Sequence, residues 1–391
     1  MREESILDEL QPQMVEWRRF LHRHPELSYH EQKTSQFVAE QLQAMGIEVT
    51  TRVGGGYGVL GILKGSKPGR TVALRADMDA LPIQDEKKCE YSSEVPGVMH
   101  ACGHDGHTSI LLAVATYFSA RRQEIEGEIR FIFQPAEEIA PGGAQGMIAA
   151  GVLDQVDVIY GLHLWTPFPV GTAASAGGPL MAAADEFFVD IIGKGGHGGI
   201  PHVTVDSIVV GSALVMQLQT IVNRSVDPLQ PAVVTVGTFQ GGTAQNVIAE
   251  STRITGTVRT FDDETRHLIR NRLETLTNLT AQAYGAEAEL KYVMGYPPVV
   301  NDEGEAERFF QEAPKVFGSE NVTACPKLMP AEDFAFYLKE IPGCFMFVGA
   351  GNEAIDAVYP HHHAKFNFDE SAMLYAAKLL VTMTQSYQGW D

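Results

Sequence analysis

"EFFVDIIGKGG" (residues 186–196) alternates apolar and polar side chains at the period of a β-strand. "DSIVVGSALVMQLQTIV" (206–222) then carries apolar residues at helical spacing. "PAVVTVGTFQGG" (231–242) and "TRITGTVRTF" (252–261) read as strands, "DETRHLIRNRLETLTNLTAQAYG" (263–285) as a long helix and "AEAELKYVMGYPP" (286–298) as a strand. This β-α-β-β-α-β order is the split βαβ, or ferredoxin-like, sandwich. Residues 184–295 are therefore expected to form a small α+β domain.

The flanking sequence has a different texture. Residues 3–21 and 30–45 read as helices, the second stopped by Gly46. "TVALRADMDALP" (71–82) begins as a buried strand. "DGHTSILLAVATYFSARR" (105–122) is helical, with Asp105 placed to cap it. "GEIRFIFQPAEE" (127–138) is a strand that Pro135 ends, and "DVIYGLHLW" (157–165) is another. Strands and helices resume after 300, through "CFMFVGA" (344–350) to a terminal helix from Glu370. Such alternation predicts a mostly parallel sheet covered by helices on both faces. The expected architecture is a discontinuous α/β domain, 1–183 plus 296–391, interrupted by the α+β domain.

Composition narrows the function classes. A chain of 391 residues favours two domains. Its 29 basic and 49 acidic residues, net −20, argue against a nucleic-acid or anionic-membrane partner, since both need a basic surface. Four cysteines make no disulfide framework. "MREESILDELQPQ" has no apolar signal core, and "ILLAVATYF" (110–118) is far too short to span a bilayer. These features predict a reducing, cytoplasmic location.

Polar clusters sit where strands end, the usual place for sites in open α/β sheets. "ACGHD" holds Cys102 and His104, a thiolate and an imidazole suited to zinc or cobalt. "QPAEE" puts Glu137 and Glu138 after an apolar strand, where one carboxylate can bind a metal and the other act as base. "YGLHLW" places His163 among apolar residues, and "YPHHHAKFNFDE" contains His361, His362 and His363. Each has an ordinary reading alone: a buried free cysteine, a solvated acidic turn, a core histidine, a histidine-rich loop. Together they supply more ligands than a closed four-coordinate zinc site takes, plus a spare carboxylate, which favours a binuclear hydrolytic centre.

Those stretches, with "HRHPELSYHE", "RADMDALPI", "MHACGHDGHT", "GKGGHGGIPH", "AQNVI" and "AEDFAFYL", resemble the aminoacylase/hippurate hydrolase-type amidohydrolase branch of the di-metal carboxypeptidase family. The resemblance runs in order from about residue 15 to 385. It implies a catalytic domain with an inserted lid and dimerisation domain, and hydrolysis of the amide bond of N-acyl amino acids or related small conjugates. It implies two divalent ions (Zn²⁺, Mn²⁺ or Co²⁺) held by Cys102, His104, Glu138, His163 and His362. Glu137 matches the general acid/base, His197 a lid histidine that polarises the scissile carbonyl, and Asn246 a substrate contact. A homodimer through the lid is implied as well.

Several positions depart from the pattern. Gly198 and Gly199 follow His197 where Ala or Ser is common, which is expected either to loosen that loop or to widen the pocket. His361 stands where Leu is usual and offers an alternative ligand. Asp77 and Asp79 read as partners for the outer nitrogens of ligating imidazoles. "EFFVDII" and "TRITGTV" read as exposed edge strands that, with the apolar helix at 208–222, suit a dimer. Two rival functions stay open: a hydrolase using Cys102 as nucleophile, and a non-catalytic, metal-stabilised binding protein.

Overall fold

The computed structural model describes residues 3–390; Met1, Arg2 and Asp391, which the expected larger domain includes, lie outside them. The chain divides into two units. One takes the chain up to Leu180, Val300–Pro326 and the chain from Asp333; the other takes Met181–Val299 and Lys327–Glu332.

The first unit is built on an eight-stranded sheet. Its early elements are α1 (Glu3–Arg23), α2 (Gln32–Ala44), β1 (Glu48–Val53), β2 (Gly58–Lys64), β3 (Lys67–Asp77), α3 (His104–Ala120), β4 (Glu126–Gln134), β5 (Val158–Pro169) and β6 (Ala173–Ser175). The strand order is β1-β2-β4-β3-β5, then Gly343–Gly351, β6 and Val322–Ala324. The centre is parallel: β4 with β3, β3 with β5, and β5 with Gly343–Gly351. Antiparallel pairing appears towards the flanks, at β1–β2, β2–β4 and between Gly343–Gly351 and β6.

Helix α3 is apolar nearly all round because it is enclosed. Ile110, Leu111, Leu112, Val114 and Phe118 are all fully buried in the main core. Each such side chain contributes about 1.5–3 kcal/mol relative to exposure. Strand β5 serves both faces of the sheet. Tyr160, Leu162 and Leu164 join the core that encloses α3, while a Cβ on Gly161 would meet the Phe334 ring at 2.7 Å. Among the described residues no helix is long and apolar enough to cross a membrane.

The start of α3 differs from expectation. The helix begins at His104, and its cap position is Gly103, held at φ 98°. Asp105 lies in the first turn and does not cap. Its carboxylate accepts from Arg18 Nε at 2.9 Å and pairs with His22 Nδ1 at 2.7 Å. Arg18 is fully buried between the Tyr91 and Phe368 rings. Long-range charge pairing thus claims a side chain that local pattern assigns to its own helix.

The second unit carries a four-stranded antiparallel sheet in the order Val233–Gly241, Ser251–Thr260, Ala183–Ile192, Glu287–Val293. Helices Ser207–Arg224 and Asp263–Tyr284 cover one face. Asp206 caps the first through the N–H groups of Ile208 and Val209; Asp262 caps the second through that of Thr265. Phe187, Val189, Ile191, Leu214, Leu218, Ile254 and Leu273 form its core. Arg266 clamps the second helix to the sheet, its Nε donating to Asp185 Oδ2 at 2.8 Å. One expectation is corrected here. "EFFVDII" and "TRITGTV" belong to the two central strands, and the edges are Val233–Gly241 and Glu287–Val293. Alternation marks a strand with one buried face, but it carries no information about neighbours.

Candidate metal centre

Strand β3 ends at Asp77 and β4 at Gln134, which pair side by side, so the loops after them open at the same rim. His163 lies inside β5 rather than at its end. It still reaches that rim, because β5 outruns its neighbour: the β3–β5 ladder stops at Arg75 and Gly161. Between β3 and α3, Gly103 takes a left-handed conformation that a Cβ-bearing residue resists, and this turn separates Cys102 from His104.

Hydrogen bonds set the imidazoles. His104 Nδ1 donates to the Asp79 carbonyl at 2.9 Å and approaches Asp79 Oδ1 at 3.2 Å. His163 Nδ1 donates to the Leu164 carbonyl at 2.7 Å. Carbonyls only accept, so Nδ1 carries a proton in both rings and Nε2 is the nitrogen turned to the cluster. His163 Nε2 faces Cys102 Sγ at 3.4 Å. His104 Nε2 is buried with no hydrogen-bond partner and lies 3.7 Å from Glu138 Oε1, which also lacks one. His362 Nε2 lies 3.4 Å from Glu138 Oε2.

Among the groups whose donor atoms lie within 4.8 Å of one another, three meet at this rim: Cys102, His104 and His163; Cys102, Glu138 and His362; His104, Glu137 and Glu138. They share Cys102, His104 and Glu138, so all six residues converge. The donor set is thiol, imidazole and carboxylate, which suits divalent transition-metal ions. The unpartnered Nε2 and Oε1 are the buried atoms a cation would satisfy.

The electrostatics also favour a cation. Burial pushes the Cys102 thiol well up, and Glu138 and Glu137 push it further. Burial opposes charging His104, but Asp77 and Asp79 outweigh it and lift the imidazole to about 10. Burial, with His107 and His361 nearby, holds His163 well below its usual value and therefore neutral. A thiol ringed by carboxylates lacks the electropositive surroundings that activate a nucleophilic cysteine.

The neighbouring histidines are spoken for. His107 Nδ1 donates to Asp77 Oδ1 at 2.7 Å, and its Nε2 accepts from the Leu164 N–H at 2.9 Å. Arg75 holds the other Asp77 oxygen at 2.7 Å. Asp77 thus partners His107, while Asp79 partners His104. His361 donates from Nε2 to the Leu164 carbonyl at 2.9 Å and stacks on Trp165. Burial pushes it down to about 3. His362, by contrast, has φ 65°, and its N–H is tied to the Ala101 carbonyl at 2.8 Å. That left-handed backbone turns His362, not His361, towards Glu138.

Of the residues expected in the small domain, His197 is exposed in the short strand Gly196–His197, which pairs with Val247–Ile248. Asn246 adjoins it, and its carbonyl accepts the Gly198 N–H at 2.8 Å. The backbone at the glycines after His197 is closely packed. A Cβ on Gly198 would sit 2.9 Å from the Asn246 oxygen, and the Gly199 N–H donates to His197 Nδ1 at 3.0 Å.

Two carboxylates at the site carried no assigned role in the sequence. Asp333 accepts from Arg75, from Gln134 Nε2 at both of its oxygens and from the Ala144 N–H; burial raises it to about 6 despite Arg75. Glu31 accepts from the Ala136 N–H at 2.8 Å and is raised by burial, and by Asp79, to about 7. Both lie in stretches that carry the family resemblance, but only their long-range partners show what they hold.

The sequence pattern of peptidase family M20/M25/M40 matches residues 73–386. The N-acyl-L-amino acid amidohydrolase of Geobacillus stearothermophilus is 51% identical over 302 residues, covering 77% of this chain and 81% of that one. The N-acetyl-L-cysteine deacetylase of Bacillus subtilis (strain 168) is 40% identical over 383 residues, covering 97% and 90%. Among solved structures, the YXEP protein of Bacillus subtilis, a dinuclear metal-binding peptidase, superposes with a TM-score of 0.84 at 34% identity, covering 98% of this chain and 99% of that one.

Proposed function

The chain belongs to peptidase family M20/M25/M40, and from that premise we propose that it is a metal-dependent amidohydrolase of N-acyl amino acids or closely related small amide conjugates. The observation that carries the reading is the pair Glu137–Glu138 at the end of β4. Glu138 faces two histidines, and Glu137 lies within the same cluster of donors.

In this reading Cys102, His104, Glu138, His163 and His362 hold two divalent ions, Zn²⁺, Mn²⁺ or Co²⁺. When bound, such ions supply Lewis-acid stabilisation of charge on the acyl oxygen and bring the pKa of water towards ~7. Glu137 accepts the proton of the attacking water and passes it to the departing amine nitrogen, so the products are a carboxylate and a free amino acid. His197 stabilises the developing oxyanion, and Asn246 contacts the substrate. Residues 184–295 serve as lid and dimerisation domain, with His197 acting across a homodimer. The relatives named for N-acyl-L-amino acids and N-acetyl-L-cysteine support the substrate class. Free thiols at Cys89, Cys102, Cys325 and Cys344 support a reducing, cytoplasmic setting.

The test is turnover of a panel of N-acetyl and N-benzoyl amino acids by protein loaded with each metal in turn. Chelator is expected to abolish activity, and added Mn²⁺, Zn²⁺ or Co²⁺ to restore it. Activity that survives complete metal removal would return Cys102 to consideration as a nucleophile. No turnover on any substrate would leave a metal-stabilised binding protein. For the lid histidine, mixing inactive His197→Ala with inactive Glu137→Gln should regenerate activity if the two act across a dimer.

A further inference from the structure

We propose that Glu31 is a positioning residue for hydrolysis: one of its oxygens holds the left-handed backbone at Ala136 and thereby sets the direction in which Glu137 leaves β4. The inference rests on the reading of Glu137 as general base.

Glu31 is fully buried and stands at the N-terminal cap position of α2, yet its side chain does not cap that helix. Glu26 takes the Thr34 N–H instead, at 2.9 Å. Glu31 is thereby free to reach a loop 105 residues away in sequence. Its Oε1 accepts two N–H groups, from Tyr29 at 3.0 Å and from Ala136 at 2.8 Å. Both donors are non-glycine residues in left-handed conformation, Tyr29 at φ 66° and Ala136 at φ 54°. L-residues resist this region, so it persists where surroundings enforce it, and such strain gathers at functional sites.

Ala136 is the hinge of the base loop. β4 runs straight to Gln134, Pro135 ends it, and the positive φ at Ala136 redirects the chain so that Glu137 and Glu138 turn into the donor cluster. The loop is tied on its other side as well. The Gly143 N–H donates to the Ala136 carbonyl at 3.0 Å, and the Tyr29 hydroxyl donates to the Ile139 carbonyl at 3.3 Å. Glu31 holds the N–H of the residue at which the chain turns.

An acid that merely fills the core would be replaceable by an apolar side chain of similar volume. The test is therefore Glu31→Met, which keeps the volume and removes the acceptor, beside Glu31→Gln, which keeps an acceptor oxygen. Both are made in the metal-loaded, full-length protein, alone and combined with Glu137→Gln. Glu31→Met is expected to lower kcat about tenfold to a hundredfold, the cost of misplacing a reacting group by about 1 Å, with KM and bound metal within about twofold of wild type. Glu31→Gln is expected to stay within about threefold, and Glu31→Met added to Glu137→Gln to cost less than about twofold more, because the two act through one carboxylate. Where Glu31→Met lacks a cooperative melt, Glu31→Ala repeats the test, and the Gln variant reads the acceptor in any case. Full activity in Glu31→Met, equal loss in Glu31→Gln, or a loss that multiplies onto Glu137→Gln overturns the proposal and leaves the base reading standing. Full activity in Glu137→Gln alone overturns the base reading, and this proposal with it.

Discussion

Glu138 turns one carboxylate oxygen to His104, at 3.7 Å, and the other to His362, at 3.4 Å. Its neighbour Glu137 shares a donor group with His104 and Glu138, and in the proposed reaction it carries the proton. The two acids should therefore fail differently. Glu138→Ala is expected to lower bound metal, read by elemental analysis, and to abolish activity. Glu137→Gln should keep its metal and lose rate by a factor on the order of 10² to 10⁴. The division of roles is refuted by a Glu137→Gln protein that has lost its metal.

Asp79 gathers the site from behind. It accepts from His104, from the Ser28 hydroxyl at 2.6 Å and from the Glu138 N–H at 3.0 Å. Burial favours its neutral form, but the His104 and Ser28 bonds keep it below its ordinary value. Removing such a partner from a metal-binding imidazole typically weakens affinity about 10- to 100-fold. Asp79→Ala should show that loss in a calorimetric titration, and unchanged affinity would count against Asp79 as the orienting group.

Glu31 makes a pH prediction with a definite sign. Burial raises its folded pKa from 4.5 to about 7, so between those values the folded state holds more protons than the unfolded one. Stability must then fall as pH rises through that window. Glu31→Gln removes the group. Its stability relative to wild type, from denaturant midpoints of metal-free protein, should rise across pH 4.5 to 7 and be flat outside it. A relative fall in the same window would mean that the folded state favours the ionised carboxylate.

Gly103 has space for a methyl group, its nearest neighbour being His107 Nε2 at 3.6 Å, but its φ of 98° does not suit one. Gly103→Ala is expected to cost about 1 kcal/mol or more through backbone strain alone. Thermal melts read that cost. The same variant should also lose metal affinity, because Gly103 sets the angle between Cys102 and His104. A melt equal to wild type would show that the loop relaxes freely.

Much of this molecule is readable from local pattern. The β-α-β-β-α-β order at 184–295, the enclosed helix α3 and the end of β4 at Pro135 follow from period, length and proline chemistry. The clustered polar motifs pointed to Cys102, His104, Glu137, Glu138, His163 and the 361–363 histidines, the family resemblance narrowed the last to His362, and the fold brings these six donors together. Composition and period are properties of neighbouring residues, so they survive without knowledge of the fold.

What only the tertiary structure decided are pairings between distant segments. Which of three consecutive histidines faces Glu138 depends on a positive φ at His362 and a bond to Ala101. Asp105 looks like a helix cap and is claimed by Arg18 and His22. The two alternating strands that look like edges lie in the middle of their sheet. Glu31, 105 residues from Ala136, gives no local sign of its reach. A hydrogen bond across such a distance is selected by the folded geometry, because burial leaves each polar group few partners and makes an unmade bond costly.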